Sequence, residues 1–184
     1  MKTSKLLLLI LCVVQLAVPG YMIYEQNQIL SEGKVYKFKT QPIDPYDPFR
    51  GRYVTLTYKV NAEPVPSEED LRRGEWVYAL LGKDEAGFAI FTNLVTEKPV
   101  SDQNHIKLKV GWGGSEGGYY VEVPFNRYYA SEDTAPKIER AVWRRETVDD
   151  VYAEIRVLDG KAALKELYVD ELPIREFIKK NGVN

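Results

Sequence analysis

The first 24 residues hold the longest uncharged stretch of the chain, and this stretch constrains the fold more than any other feature. Lys2 and Lys5 precede it, and the 19 residues of 6–24 carry no charge. As a helix, 19 residues extend about 28 Å, close to the ~30 Å hydrocarbon core of a bilayer. We therefore expect residues 1–24 to anchor the chain in the lipid bilayer. The basic start predicts a cytoplasmic N-terminus in the cell membrane and one extracytoplasmic domain over residues 25–184.

A cleaved signal peptide is the alternative interpretation of the same segment. It would comprise the basic start, the apolar run Leu6–Val18 and a cleavage site after Gly20. Val18 and Pro19 stand where cleavage sites prefer small residues, which favours the uncleaved anchor. Cys12 lies inside the apolar run, not after small residues at its end, so the sequence does not predict a lipid-modified cysteine.

Charge and the supply of metal-binding side chains exclude several classes of function. Lys and Arg total 25 against 27 Asp and Glu, and a net charge of −2 gives no strong attraction to nucleic acid. One Cys and one His provide neither a zinc or iron–sulfur ligand set nor a secure Ser-His-Asp triad. The sequence therefore predicts no catalytic residue, no metal and no cofactor, and it leaves any small ligand unidentified.

Period-two alternation of apolar residues predicts strands along most of the exported part. Residues 53–60 alternate most clearly, with one face made by Val54, Leu56, Tyr58 and Val60. In residues 105–110 the inward face holds Ile106, Leu108 and Val110, which places His105 on the outward face. Trp76–Leu81 is apolar on both faces and predicts a buried strand. Further strands are predicted at Val35–Lys39, Phe88–Val95 and Tyr119–Val123.

The clearest local motif is a β-hairpin near the C-terminus. Val151–Leu158 and Lys161–Val169 flank the pair Asp159-Gly160, which suits a type I′ turn. The other predicted elements are a glycine-rich loop over Gly111–Gly118, a helix from Ser131 to about Glu146 and a short terminal helix over Pro173–Lys180. With about seven or eight strands, one short helix and no βαβ rhythm, we expect a mainly β antiparallel barrel or sandwich after the N-terminal transmembrane helix.

Residues 51–58 read Gly-Arg-Tyr-Val-Thr-Leu-Thr-Tyr and match the pattern G-D-Y-x-x-L-x-Y at all fixed positions except Arg52, which replaces Asp. The approach over residues 42–50, the segment 126–132 and the hairpin at 159–162 add to the similarity. The chain thus resembles the GDYXXLXY-motif family of uncharacterised bacterial membrane-anchored proteins over most of residues 28–169. The resemblance implies an N-terminal anchor and a multi-span membrane protein as partner, but it implies no chemistry. Arg52 puts in doubt any role that needs a carboxylate at that position.

The candidate binding residues lie on the arm before the motif strand and at the start of the predicted helix: Asp44, Asp47, Arg50, Gly51, Arg52, Tyr53 and Glu132. Asp44 and Asp47 could bind a cation or hold Arg50, although Asx-type turns beside the prolines are the favoured explanation. Glu132 could face a partner or simply favour the start of a helix. Tyr53 could also be a cross-strand packing residue.

Three functions follow from these residues. The first is a non-enzymatic extracytoplasmic module that contacts a multi-span membrane protein through residues 44–53. The second is a module that binds cell-envelope glycan or peptide with the aromatic side chains of Trp112, Tyr119 and Tyr120. The third is an enzyme, because Pro-x-Asp-Pro followed by Arg-Gly resembles the boxes of type I signal peptidases. The peptidase hypothesis has little support, since the segment Pro42–Arg50 contains no serine to act as nucleophile.

Overall fold

A computed structural model of the chain describes residues 2–41, 53–100, 104–113, 118–131, 134–138, 151–169 and 171–181. The helices are α1 (Lys2–Glu32), α2 (Lys59–Ala62) and α3 (Ile174–Asn181), and residues 135–138 form a further helical turn. The strands are β1 (Lys34–Gln41), β2 (Tyr53–Thr55), β3 (Thr57–Tyr58), β4 (Val65–Pro66), β5 (Trp76–Lys83), β6 (Ala89–Val95), β7 (His105–Gly113), β8 (Gly118–Glu122), β9 (Arg127–Tyr129), β10 (Val151–Leu158), β11 (Lys161–Val169) and β12 (Leu172–Pro173).

The mainly β prediction is confirmed. Strands make up 47% of the structure and form a nearly closed, antiparallel, barrel-like arrangement. Among the described residues, seven strands have five or more residues, and the other five are short pieces at edges and corners.

Helix α1 is continuous from Lys2 to Glu32 and contains Pro19. Its part Lys5–Glu32 is long and apolar enough to cross a membrane, and its most apolar stretch is not buried against the protein. The helix therefore has the length and exposure of a membrane span, and it is not the core helix of the β domain.

The end of α1 is fixed to the β domain. Ile29 is buried, and the Gly33 amide closes the helix by donating to the Ile29 carbonyl oxygen at 3.0 Å. A Cβ at Gly33 would collide with that carbonyl oxygen, so the exit from the helix requires glycine. Arg156 donates from Nη1 to the Gly33 carbonyl at 3.2 Å, and Lys161 pairs with Glu25. The helix and the domain thus meet at a defined junction.

Two five-stranded sheets enclose the core. The first has the order β12-β11-β10-β1-β3, and the second has the order β4-β8-β7-β5-β6, while β2 and β9 form a separate pair. All of these pairings are antiparallel. The inner faces supply a continuous core whose fully buried members include Phe38, Tyr58, Leu94, Ile106, Leu108, Ile155 and Leu167.

The C-terminal hairpin is confirmed at the predicted residues. β10 and β11 pair from Leu158↔Lys161 to Val151↔Val169. Asp159 and Gly160 both have positive φ, at 48° and 80°, as a type I′ turn requires. The Gly160 carbonyl accepts a hydrogen bond from the Lys107 amide at 2.8 Å, so the tip of the hairpin packs onto β7 of the second sheet.

Some predicted elements have different boundaries. The strand predicted over residues 53–60 divides at Leu56, whose amide donates to the Asn126 carbonyl at 2.8 Å, and residues 59–62 turn into α2. Its inward set is nevertheless buried as predicted: Val54, Leu56, Tyr58 and Val60. The glycine-rich segment is not loop throughout, because residues 111–113 extend β7 and Gly118 begins β8. Beyond residues 134–138, the helix predicted from Ser131 lies outside the described residues.

Candidate functional site

The second half of the motif lies in the core. Leu56 and Tyr58 are 2% and 0% exposed, and the Tyr58 hydroxyl donates to the Phe125 carbonyl at 2.9 Å. The Tyr58 ring contacts Phe38 and Phe125 edge to face, with centroids 6.1 and 5.3 Å apart. Burial raises the pKa of the Tyr58 hydroxyl, so it stays protonated and acts as a hydrogen-bond donor. Tyr58 therefore stabilises the fold and is not available to a ligand.

Tyr53, the first residue of the motif that the structure describes, is half-buried. Tyr53 pairs with Tyr129 across β2 and β9, and their rings meet edge to face with centroids 6.0 Å apart. The Arg127 guanidinium lies 5.0 Å from the centre of the Tyr53 ring. Tyr129 is 66% exposed. We call Tyr53, Arg127 and Tyr129 the Tyr53 cluster, an aromatic and cationic surface that a partner could cover.

Tyr53 is the one predicted binding residue among those the structure describes. The other predicted residues lie outside the described ranges: Asp44, Asp47, Arg50, Gly51, Arg52 and Glu132. Their proposed roles stay predictions.

A second aromatic and cationic surface covers the outer face of the second sheet. Trp76 on β5 is 54% exposed, and the ammonium groups of Lys107 and Lys109 lie 5.6 and 4.9 Å from the centre of its ring. Trp112 is 64% exposed, with the Arg73 guanidinium 4.3 Å from its ring centre. We call these five residues the tryptophan face.

The prediction that Trp76–Leu81 is buried on both faces is wrong at Trp76. Val77 and Ala79 on one face of β5 are fully buried, whereas on the other face Tyr78 is half-buried and Trp76 is mostly exposed. The lysine stems of β7 cover part of the Trp76 ring, as long amphipathic side chains do. Sequence analysis missed this site, although Lys107 and Lys109 were already on the outward face of the predicted alternation.

The three aromatic residues considered for a ligand platform do not form one surface. Trp112 and Tyr120 are directly opposite each other on β7 and β8 and so share a face. Tyr119 points the other way, and its hydroxyl accepts from the Leu71 amide at 3.0 Å. Tyr119 therefore holds the segment before β5 in place. Trp76, and not Tyr119, is exposed like Trp112.

His105 is buried, which corrects its predicted outward placement. It is 5% exposed because the hairpin tip covers it, and a Cβ on Gly160 would lie 3.1 Å from its ring. Tyr78 closes the other side, with ring centroids 5.4 Å apart. His105 is therefore a packing residue at the contact between the two sheets.

Two cavities of similar size open at different ends of the domain. The first, of about 400 Å³, lies beside the hairpin tip and the end of α1, and Lys34, Lys98 and Asp159 line it. The second, of about 410 Å³, is lined by cations and hydroxyl groups: Ser131, Thr134, Lys137, Arg175 and Lys179. Within the described residues, no group of three or more His, Cys, Asp or Glu side chains is placed to hold a metal ion.

Arg175, which lines the second cavity, is next to a buried hydrogen bond between Tyr128 and Glu166. Tyr128, opposite Val54 on β9, is 5% exposed, and its hydroxyl donates to Glu166 Oε1 at 2.7 Å. Burial, assisted by the Glu166 carboxylate, raises the pKa of Tyr128 to about 12. Arg175, which also lines the cavity, acts on the same hydroxyl and partly opposes that shift.

Comparison with known proteins identifies the family and adds no activity. No curated protein and no solved structure matches the chain. Residues 15–167 match the family model described as GDYXXLXY protein, which covers most of the sequence, including the end of α1, the motif strand and the hairpin. The chain belongs to the GDYXXLXY protein family.

Proposed function

We propose that this protein is a membrane-tethered extracytoplasmic interaction module without catalytic activity, and that its partner is a multi-span membrane protein. The observation that carries the proposal is α1, a helix of membrane-spanning length whose apolar window is 0% buried. A fully exposed apolar helix of this kind is stable only in lipid or against other spans. The two lysines before the span and none directly after it support a cytoplasmic N-terminus.

The junction between α1 and the domain supports a positioning role. Ile29 is buried, Arg156 binds the Gly33 carbonyl, and Lys161 pairs with Glu25, so the domain does not hang on a flexible linker. A fixed domain presents one surface to neighbours in the same bilayer. This arrangement lowers the ordering cost of binding a membrane partner, because the orientation of the domain is set before contact.

The Tyr53 cluster is the surface we propose for that contact. It combines an exposed tyrosine with a cation–aromatic pair, and tyrosine and arginine are enriched at the energetic centres of protein interfaces. It also adjoins in sequence the predicted binding residues 44–52. These features favour a protein partner over a small ligand at this location.

Site-specific photo-crosslinking in native membranes tests the proposal. A photoreactive phenylalanine analogue at position 129 should give a discrete adduct with a multi-span membrane protein. The matched control carries the analogue at position 112, which is equally exposed, at 64% against 66%. Alkaline extraction and protease accessibility of the same membranes test the tether and its orientation. The proposal fails if the chain is extracted as a soluble protein, or if both positions give the same adducts.

Binding of an envelope ligand is a second candidate function, which the tryptophan face favours. Two tryptophans that are each more than half exposed, with three cations over their rings, suit an anionic glycan or peptide. Titration with envelope polysaccharide should then quench tryptophan fluorescence saturably, and Trp76→Ala and Trp112→Ala should each reduce the quenching. Tyr129→Ala is the control that should leave it unchanged. Quenching that persists in both tryptophan variants contradicts this second function.

A further inference from the structure

The tip of the C-terminal hairpin lies beside the point where α1 leaves its apolar segment. Lys161, the first residue of β11, pairs with Glu25, the first charged residue after residues 6–24. If α1 spans the bilayer, the tip therefore lies at the level of the headgroups, which occupy only about 5–8 Å on each side of the hydrocarbon core.

A loop with an exposed apolar residue is fastened to the same tip. Lys98 Nζ lies 2.7 Å from Asp159 Oδ1. Two residues later, Val100 is 76% exposed, and its Cα is at most about 7 Å from that of Lys98. Val35, directly after the α1 junction, is 44% exposed. Single exposed apolar residues are ordinary, but here they share one end of the domain with the membrane helix.

The cavity of about 400 Å³ opens between these elements. Its lining includes two ammonium groups, from Lys34 and Lys98, and two carboxylates, from Glu32 and Asp159. Lys34 is directed by a hydrogen bond of 2.9 Å from its Nζ to Asn104 Oδ1. The Lys98 ammonium holds the pKa of the Asp159 carboxyl below its usual range, so both signs of charge persist at neutral pH. Lysines are point-charge ligands for phosphate, and carboxylates accept from an ammonium group.

We propose that this end of the domain rests on the outer surface of the bilayer crossed by α1, and that its cavity takes the headgroup of a zwitterionic phospholipid. We call the surface the hairpin rim and define it as Val35, Thr96–Val100 and Leu158–Lys161. The phosphate lies toward Lys34 and Lys98, the headgroup ammonium lies toward Glu32 and Asp159, and Val100 enters the interface. The inference rests on the proposed function, because it requires α1 to span the membrane.

Depth-dependent quenching in nanodiscs tests the contact of the rim with lipid. The full chain carries Cys12→Ser, which removes its single cysteine, and Val100→Cys labelled with an environment-sensitive fluorophore. Lipids that carry a quencher at headgroup depth should quench this label more strongly than lipids that carry the quencher near the bilayer centre. The control label is at Glu176→Cys on α3, at the opposite end of β11, about 26 Å along the strand from Lys161. Equal quenching at both positions, or none at Val100, overturns the assignment of the rim.

Retention of lipid by the full chain tests the cavity separately. Native mass spectrometry of protein released from nanodiscs of phosphatidylethanolamine should show one retained lipid. The double variant Lys34→Glu with Lys98→Glu should lose about tenfold in retention, since it removes two charged partners of the phosphate. The matched control, Lys137→Glu with Lys179→Glu, makes the same charge change in the other cavity of about 410 Å³. An equal loss in both double variants indicates nonspecific attraction and overturns the proposed headgroup site.

The proposed membrane span and the proposed hairpin rim can be contradicted by different results. Extraction of the chain from membranes at alkaline pH would contradict the span and the proposed function together. A chain that resists extraction but shows no quenching at Val100 and no retained lipid would contradict the hairpin rim alone. Phosphatidylglycerol has no headgroup ammonium. If it were retained as well as phosphatidylethanolamine, the proposed specificity for zwitterionic headgroups would be contradicted.

Discussion

Tyr53 and Tyr58 belong to one short motif and lie in opposite environments. Tyr58 is fully buried among Phe38 and Phe125, with its hydroxyl bound to a backbone carbonyl. Tyr53 is half-buried, with its ring against Tyr129 and the Arg127 guanidinium. The five-residue spacing explains the difference, because an odd separation along a strand puts side chains on opposite faces. The division of the strand at Leu56 does not change this alternation of buried and exposed side chains.

The comparison separates two reasons for finding a residue in a family motif. The Leu56 and Tyr58 positions serve the fold, since their side chains fill the core and satisfy the Phe125 carbonyl. The Tyr53 side chain stays outside the buried core and is only half-buried. The same division holds in the paired strand, where Tyr128 is buried and Tyr129 is exposed.

The largest difference between the two regions should appear on truncation of the side chains. Tyr58→Ala should lower the free energy of unfolding by about 3–5 kcal/mol, because it opens a cavity in an aromatic core. Tyr53→Ala should cost less than about 1 kcal/mol, as expected for a surface contact. Urea unfolding of the full chain in nanodiscs, followed by tryptophan fluorescence, measures both. Equal losses would show that Tyr53 is also a core residue.

Removal of the hydroxyl groups alone sharpens the comparison. Tyr58→Phe should cost about 1–3 kcal/mol, since it leaves the buried Phe125 carbonyl without its donor. Tyr53→Phe keeps the ring contacts with Tyr129 and Arg127 and should change the unfolding free energy by less than about 0.5 kcal/mol. The same unfolding assay applies. A loss at Tyr58→Phe no larger than at Tyr53→Phe would mean that water replaces the missing donor.

The titration of Tyr128 offers a test that does not depend on opening a cavity in the core. The pKa of Tyr128 is raised to about 12, above the value of about 10 in an unfolded chain. Because the folded protein disfavours the phenolate, this contribution to stability is constant below pH 10 and is lost as the pH rises from about 10 towards 12. Phenolate absorbance should show a transition near pH 12 that is lost in Tyr128→Phe, while the buried Tyr58 titrates later still in both proteins. The exposed Tyr129→Phe is the control, and it should leave the late transition in place.

The features that sequence could predict are the local ones. The Asp159-Gly160 turn follows from two neighbouring residues that tolerate positive φ, and the inward sets follow from alternation within one strand. The apolar span of α1 also needs no information from elsewhere in the chain. In each case the physical cause lies within a few residues of its effect.

The features that sequence missed depend on partners far along the chain. His105 is buried because Gly160, which is 55 positions away, folds over it. Trp76 is exposed because no element of the described residues covers it, and its lysine neighbours come from β7. Alternation tells which residues share a face, but it does not tell whether that face will be covered. The surroundings of Tyr53 likewise depend on pairing with β9, over 70 residues later.

The smallest predicted effect is the coupling inside the Tyr53 cluster. A double-mutant cycle with Arg127→Ala and Tyr53→Leu should give a coupling energy of about 0.5 kcal/mol, the size of an exposed cation–aromatic contact. A cycle between Arg127→Ala and Tyr58→Phe is the control and should give no coupling, since Tyr58 faces the core. A coupling of about 2 kcal/mol for the first pair would mean that the cluster stabilises the fold as the core does. The presence of Tyr53 in the motif would then need no binding partner to explain it.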